Sequence, residues 1–215
     1  MILFRPVGLE ELRLVYESGM RAFPPRLADQ PIFYPVTNEG YAAQIARDWN
    51  TQAGTKAGFV TKFAVDDEYA SKFERRVVGA KEHEELWVPA EELAEFNGHI
   101  AASIEIVGAF FGDDYLGHVP DEGGLRGKTA REQFVALAKT LPYSAFDVGL
   151  EMAVNHVAVF LNFFFWEQAD FSPDGIEPSS RDEILSKLRQ MRSGGAHGHI
   201  PLGLVRTTAT ATSSG

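Results

Sequence analysis

Cysteine is absent from the 215 residues, which excludes a disulfide framework, a thiolate nucleophile and any cysteine zinc site. Long hydrophobic runs are missing too. The densest, residues 157–166, is about half the roughly 18 residues a membrane helix needs, and it contains Asn162. Positive charge is scarce: 20 Lys and Arg stand against 30 Asp and Glu, a formal charge of −10. A field of that sign repels a polyphosphate backbone and argues against nucleic acid as a partner. The opening Met-Ile-Leu-Phe-Arg lacks the basic-then-apolar layout of a secretion signal, so a soluble, cytoplasmic protein without membrane contact is expected. Residues 123–129, Gly-Gly-Leu-Arg-Gly-Lys-Thr, end as a phosphate-binding loop does, but lack its first glycine and its preceding apolar strand. No serine sits in a nucleophile elbow.

What is present is globular in kind, with 45% hydrophobic and 23% charged residues. Residues 1–4 read as a buried strand with Arg5 at its end, because Pro6 denies a helical continuation. Leu9, Leu12, Val15 and Tyr16 recur at helical spacing, with Glu10 and Glu11 in the first turn and Gly19 as a stop. Residues 32–34 lie between Pro31 and Pro35 and read as a short strand. Asn38 caps a helix whose apolar face is Tyr41, Ile45 and Trp49. Period-two alternation marks a strand over 59–65; after a connector ending at Gly79, residues 85–88 read as a strand stopped by Pro89, which opens a helix, and 100–111 is another strand-like run with Ile104, Glu105 and Ile106 alternating.

Beyond Gly112 the texture is helical. Thr129 and Glu132 form a capping box, Ser144 and Asp147 open a second helix, and Ser180 with Glu183 opens the last. Residues 159–166 are too uniformly apolar for periodicity to decide between helix and strand. The expected class is α+β: a strand-rich half over 1–112 with a split mixed or antiparallel sheet, a mainly helical half over 113–192 packed on it, and a disordered tail over 193–215.

The sharpest local feature is residues 82–89, Glu-His-Glu-Glu-Leu-Trp-Val-Pro. In an extended strand His83, Glu85 and Trp87 share one face, which puts an imidazole, a carboxylate and an indole together. A carboxylate beside an aromatic wall accepts a hydrogen bond from a sugar hydroxyl or stabilises an oxocarbenium-like cation; a solvated charge cluster ahead of a core strand fits the same residues. Arg5 suits bidentate binding of phosphate or carboxylate, or pairing with an acid of this chain. Tyr34, near Phe33 and Tyr41, can stack on a flat ring or pack in the core. Asp113 and Asp114 have the chemistry for magnesium, but an acidic turn after a strand explains them as well. His197 and His199 share a face if extended, without a third ligand in sight.

Four segments together carry a resemblance: residues 4–8 (Phe-Arg-Pro-Val-Gly), 22–26 (Ala-Phe-Pro-Pro-Arg), 30–36 (Gln-Pro-Ile-Phe-Tyr-Pro-Val) and 83–93 (His-Glu-Glu-Leu-Trp-Val-Pro-Ala-Glu-Glu-Leu). They resemble bacterial proteins labelled ADP-ribosylation/crystallin, over about the first half of the chain. The order of polar residues looks like that of ADP-ribosyltransferases: Arg on the first core strand, Ser, Thr or Tyr on a later one, then Glu opening three apolar residues before a proline. Arg5, Tyr34 and Glu85 stand in those positions, and His83 replaces the Glu or Gln often found two residues ahead. The resemblance implies a mono-ADP-ribosyltransferase that consumes NAD, cleaves the nicotinamide–ribose bond and transfers ADP-ribose to an acceptor. Glu85 and His83 would be catalytic, and Arg5, Tyr34 and Tyr41 would hold the dinucleotide. A non-catalytic nucleotide or ADP-ribose binder, or a protein-interaction module, is the alternative.

Overall fold

A computed structural model describes residues 1–79, 83–195 and 197–205. The chain is α+β. Among the described residues it has six strands, β1 (Ile2–Val7), β2 (Ile32–Phe33), β3 (Ala57–Ala64), β4 (Glu74–Val77), β5 (Glu84–Pro89) and β6 (Glu105–Phe111). The helices are α1 (Leu9–Glu17), α2 (Glu39–Asp48), α3 (Asp67–Ala70), α4 (Leu93–Gly98), α5 (Ala130–Thr140), α6 (Ala145–Val154), α7 (His156–Trp166) and α8 (Pro178–Ser193). Two three-stranded sheets, ordered β1-β3-β6 and β2-β5-β4, contain only antiparallel pairings among the described residues. Val36 joins them, bridging Phe4 on one side and Glu85 on the other.

The first strand is longer than its proline suggests. Arg5 and Pro6 lie inside β1, opposite Thr61 and Val60 of β3. Phe4 exchanges backbone hydrogen bonds with Val36, at 2.8 and 2.7 Å, on the edge away from β3. Pro6, two residues on, turns its missing N–H to that same edge, where the pairing has already ended. Strand β4 falls in the stretch between the strands expected over 59–65 and 85–88. Its four residues are all exposed, and with three of them charged it carries no alternation for a sequence reading to find.

The two halves share a core. One buried cluster runs from Leu3, Phe33 and Val88 through Phe134 and Phe163 to Leu202, and Phe59 of β3 meets Phe164 of α7 edge-on at 5.6 Å. Helix α7 settles the ambiguity over 159–166: it is apolar nearly all round because neighbours cover it nearly all round. No single helix among the described residues is long and apolar enough to cross a membrane. The capping box of α5 forms with both bonds present, and Asn38 caps α2 by accepting from the Tyr41 backbone N–H at 3.0 Å.

Helix α2 lies directly on β3 because Gly58 has no side chain. A Cβ there would stand 2.0 Å from the carbonyl oxygen of Ala46. On that face a second, smaller core collects Phe4, Val36, Tyr41, Ala42, Ala46 and Val60. The expected tail starts too early at 193. Residues 197–205 are packed: Ile200 and Leu202 are buried, and the Val205 N–H donates to the Ile106 carbonyl at 2.9 Å. Residues 206–215 lie outside the described residues.

Candidate functional site

Strand alternation sorts the polar residues of interest onto two faces. Leu86 and Val88 of β5 enter the large core with Phe33, Leu3 and Val7. Glu85 and Trp87 therefore turn to the opposite face, where α2 lies. There the Tyr41 hydroxyl donates to Glu85 Oε1 at 3.2 Å and the Trp87 indole N–H donates to Glu85 Oε2 at 3.1 Å. Each carboxylate oxygen thus has its own donor, which fixes the plane of the group and leaves a lone pair on each.

Aromatic rings border this carboxylate. His83 stacks on Tyr41 with ring centres 4.1 Å apart and an interplanar angle of 12°. Tyr34 meets Trp87 edge-on at 5.2 Å. The Arg76 guanidinium of β4 lies 3.6 Å from the Trp87 ring centre while Arg76 Nη2 donates to Glu74 at 2.7 Å. Burial, then the Glu85 charge, holds the Tyr41 hydroxyl above the ordinary tyrosine range, so it stays protonated and donating at neutral pH.

Arg5 is elsewhere. It belongs to the face of Leu3 and Val7, and its guanidinium lies 4.5 Å from the ring centre of Phe33 in the large core. Its Nε and Nη2 donate to the two carboxylate oxygens of Glu11 at 2.7 and 3.2 Å, and Nη1 donates to the Tyr34 carbonyl at 3.3 Å. The expectation that Arg5 meets Glu85 in one pocket is corrected by this geometry: the sheet separates the two side chains, and an acid of the chain pairs with the arginine. Glu11 serves a second cation as well, Arg26, whose Nη1 is 3.9 Å away. The Arg26 Nε is buried and has no hydrogen-bond partner among the described residues. Burial, then the charge of Arg5, pulls the Arg26 guanidinium below its usual range.

The structure thus brings Tyr34, Tyr41, His83 and Glu85 together, adds Trp87 and Arg76, and leaves Arg5 out. Arg76 escaped the sequence reading because β4 did. A surface hollow of about 700 Å³ lies at Arg47, Lys56, Asp113 and Asp114. It holds none of the seven residues named before it, nor do four further hollows among the described residues. Volume alone does not assign chemistry, and Asp48 on its wall is already paired with Arg47 at 2.7 Å. No family model, curated protein or solved structure matches the chain.

Proposed function

We propose that the Glu85 cluster is a site for NAD, and that the chain is an ADP-ribosyltransferase-like protein of the kind its sequence resembles. One observation carries the reading: a carboxylate held in a fixed plane by Tyr41 and Trp87 stands beside an indole face that already accepts a flat cation, Arg76. The nicotinamide of NAD is a flat cation linked to a ribose, so an indole face and a hydroxyl-accepting carboxylate match its two ends.

In the proposed reaction the nicotinamide–ribose bond breaks with its electron pair passing to nicotinamide. Glu85 accepts a hydrogen bond from the ribose and stabilises the positive charge left on the sugar. His83, stacked on Tyr41 next to the carboxylate, takes the proton that the acceptor gives up as it bonds to the ribose. Tyr34 flanks the ring by way of Trp87, and Tyr41 is a positioning residue for Glu85. Arg5 has no part in this site.

The position of Arg5 favours a second reading. Without it the Glu85 face has Arg76 as its cation, and the non-catalytic alternative, a nucleotide or ADP-ribose binder, asks less of the site. Incubation with NAD and measurement of free nicotinamide separates them. Release that falls at least 100-fold in Glu85→Gln supports the transferase-like reading. Thermal stabilisation by NAD or ADP-ribose without release supports the binder. Release unchanged in Glu85→Gln removes Glu85 from the chemistry, and no response to either nucleotide removes both readings.

A further inference from the structure

On the other side of the molecule, where α1, α7, α8 and the segment 197–205 meet, lies a second cluster that the sequence did not announce. Arg192 of α8 is 6% exposed, and no carboxylate pairs with it among the described residues. Its partners are neutral: Nε donates to the His197 carbonyl at 3.2 Å and Nη2 to the Tyr16 hydroxyl at 2.6 Å. Tyr16 in turn bonds His156 Nδ1 at 2.9 Å, and the imidazoles of His156 and His197 stack at 4.0 Å. The acid nearest in sequence to Tyr16, Glu17, is engaged by Arg13 at 2.6 Å.

A guanidinium taken out of water and given only neutral partners keeps an uncompensated charge. The usual remedy is an anion. The neighbouring imidazoles do not add to the charge: burial first, then His197 and Arg192, hold His156 below the ordinary histidine range, and burial first, then Arg192 and His199, hold His197 below it. Arg192 and His197 line a cavity of about 130 Å³ whose other walls include Gly149, Met152 and Met191. The remaining nitrogen, Nη1, makes no hydrogen bond among the described residues. The cavity therefore offers one cationic end and an apolar body, and its size suits a ligand of about six non-hydrogen atoms.

We infer that this cavity is a binding site for a small monocarboxylate, with the carboxylate on Arg192 and the alkyl chain against Met152 and Met191. The site is separate from the Glu85 cluster and does not depend on how that cluster is used. Its ligand class follows from the pairing of a buried cation with an apolar wall; inorganic phosphate would fill the first and leave the second without a partner.

Sodium butyrate is the probe, titrated into the full chain at constant ionic strength and followed by calorimetry and thermal melting. Sodium chloride and the neutral isostere butyramide serve as controls. Saturable butyrate binding that raises the melting temperature, with neither control matching it, is the expected result. Arg192→Met should weaken binding at least tenfold. Because that variant also cuts a bond to Tyr16, Gly149→Val is the second test. A Cβ at 149 meets only the Met191 methyl, at an ordinary contact distance of 3.5 Å, so the variant is expected to keep the wild-type melting temperature without ligand while its side chain occupies the cavity, and binding should again fall at least tenfold. Butyramide binding as well as butyrate, chloride giving the same stabilisation, undiminished binding in Gly149→Val, or no butyrate response would each overturn the inference.

Discussion

Replacing Glu11 by Gln tests whether Arg5 belongs to the architecture or to a ligand. Glu11 is shared by two guanidiniums, Arg5 at 2.7 Å and Arg26 at 3.9 Å, whose side chains are 8% and 13% exposed. Two unit charges 4 Å apart interact by about 4 kcal/mol at an effective dielectric of 20. Removing one partner of a buried pair costs about 3–5 kcal/mol because the other charge stays behind uncompensated. Here two charges stay behind and repel each other, but the Glu11 side chain is 21% exposed and water softens the loss. The low end, about 3 kcal/mol, is the expected destabilisation. Urea denaturation should show it as a lower midpoint at constant slope, and a protein of this size should melt about 6–12 °C lower. Arg5→Met in the same background should recover part of the loss, giving a coupling of about 2 kcal/mol. A loss below about 1 kcal/mol would show that Glu11 does not hold Arg5, and would return the arginine to the list of groups free to bind a ligand.

Two further outcomes follow from the packing and from the tyrosines. Gly58→Ala drives a methyl into the Ala46 carbonyl at 2.0 Å, so α2 must move off β3 and take Tyr41 away from Glu85. A loss of about 2–3 kcal/mol in urea denaturation is expected, and wild-type stability would contradict the packing. Burial is the leading cause that raises Tyr16, Tyr41, Tyr69 and Tyr115 above the ordinary tyrosine value. Their folded values exceed the unfolded one, so their stabilising effect is complete below about pH 10 and is lost as pH rises through the folded values. Phenolate absorbance should show these four titrating later in the folded chain than in urea, and Tyr41→Phe should remove one of them.

The sequence makes legible those elements whose signals are local. The Thr129 and Glu132 capping box, the Asn38 cap and the alternation along β3 all concern residues a few positions apart, and all three appear in the structure. The shared face of Glu85 and Trp87 is equally local. Pairing with an acid of the chain is one of the two readings the sequence allows Arg5, and Glu11 bears it out, but the face Arg5 takes was not legible because it depends on how β1, Val36 and β5 are registered across the sheet, and spacing along the chain does not encode that. Strand β4 lacks any apolar alternation. The Arg192 cluster joins residues 176 and 140 positions apart in its two hydrogen bonds through Tyr16. The segment 197–205 was misread because glycine-rich composition outweighed two buried anchors, Ile200 and Leu202.

The claim that NAD engages the Glu85 cluster is tested most directly by the fluorescence of Trp87. Trp49 is two-thirds exposed and Trp166 is fully buried, so each of the three tryptophans has a distinct environment. NAD titrated into the wild type should quench emission saturably through Trp87. The saturable part should vanish in Trp87→Phe and weaken in Glu85→Gln. Quenching that is linear in NAD, or that survives unchanged in Trp87→Phe, would contradict the account.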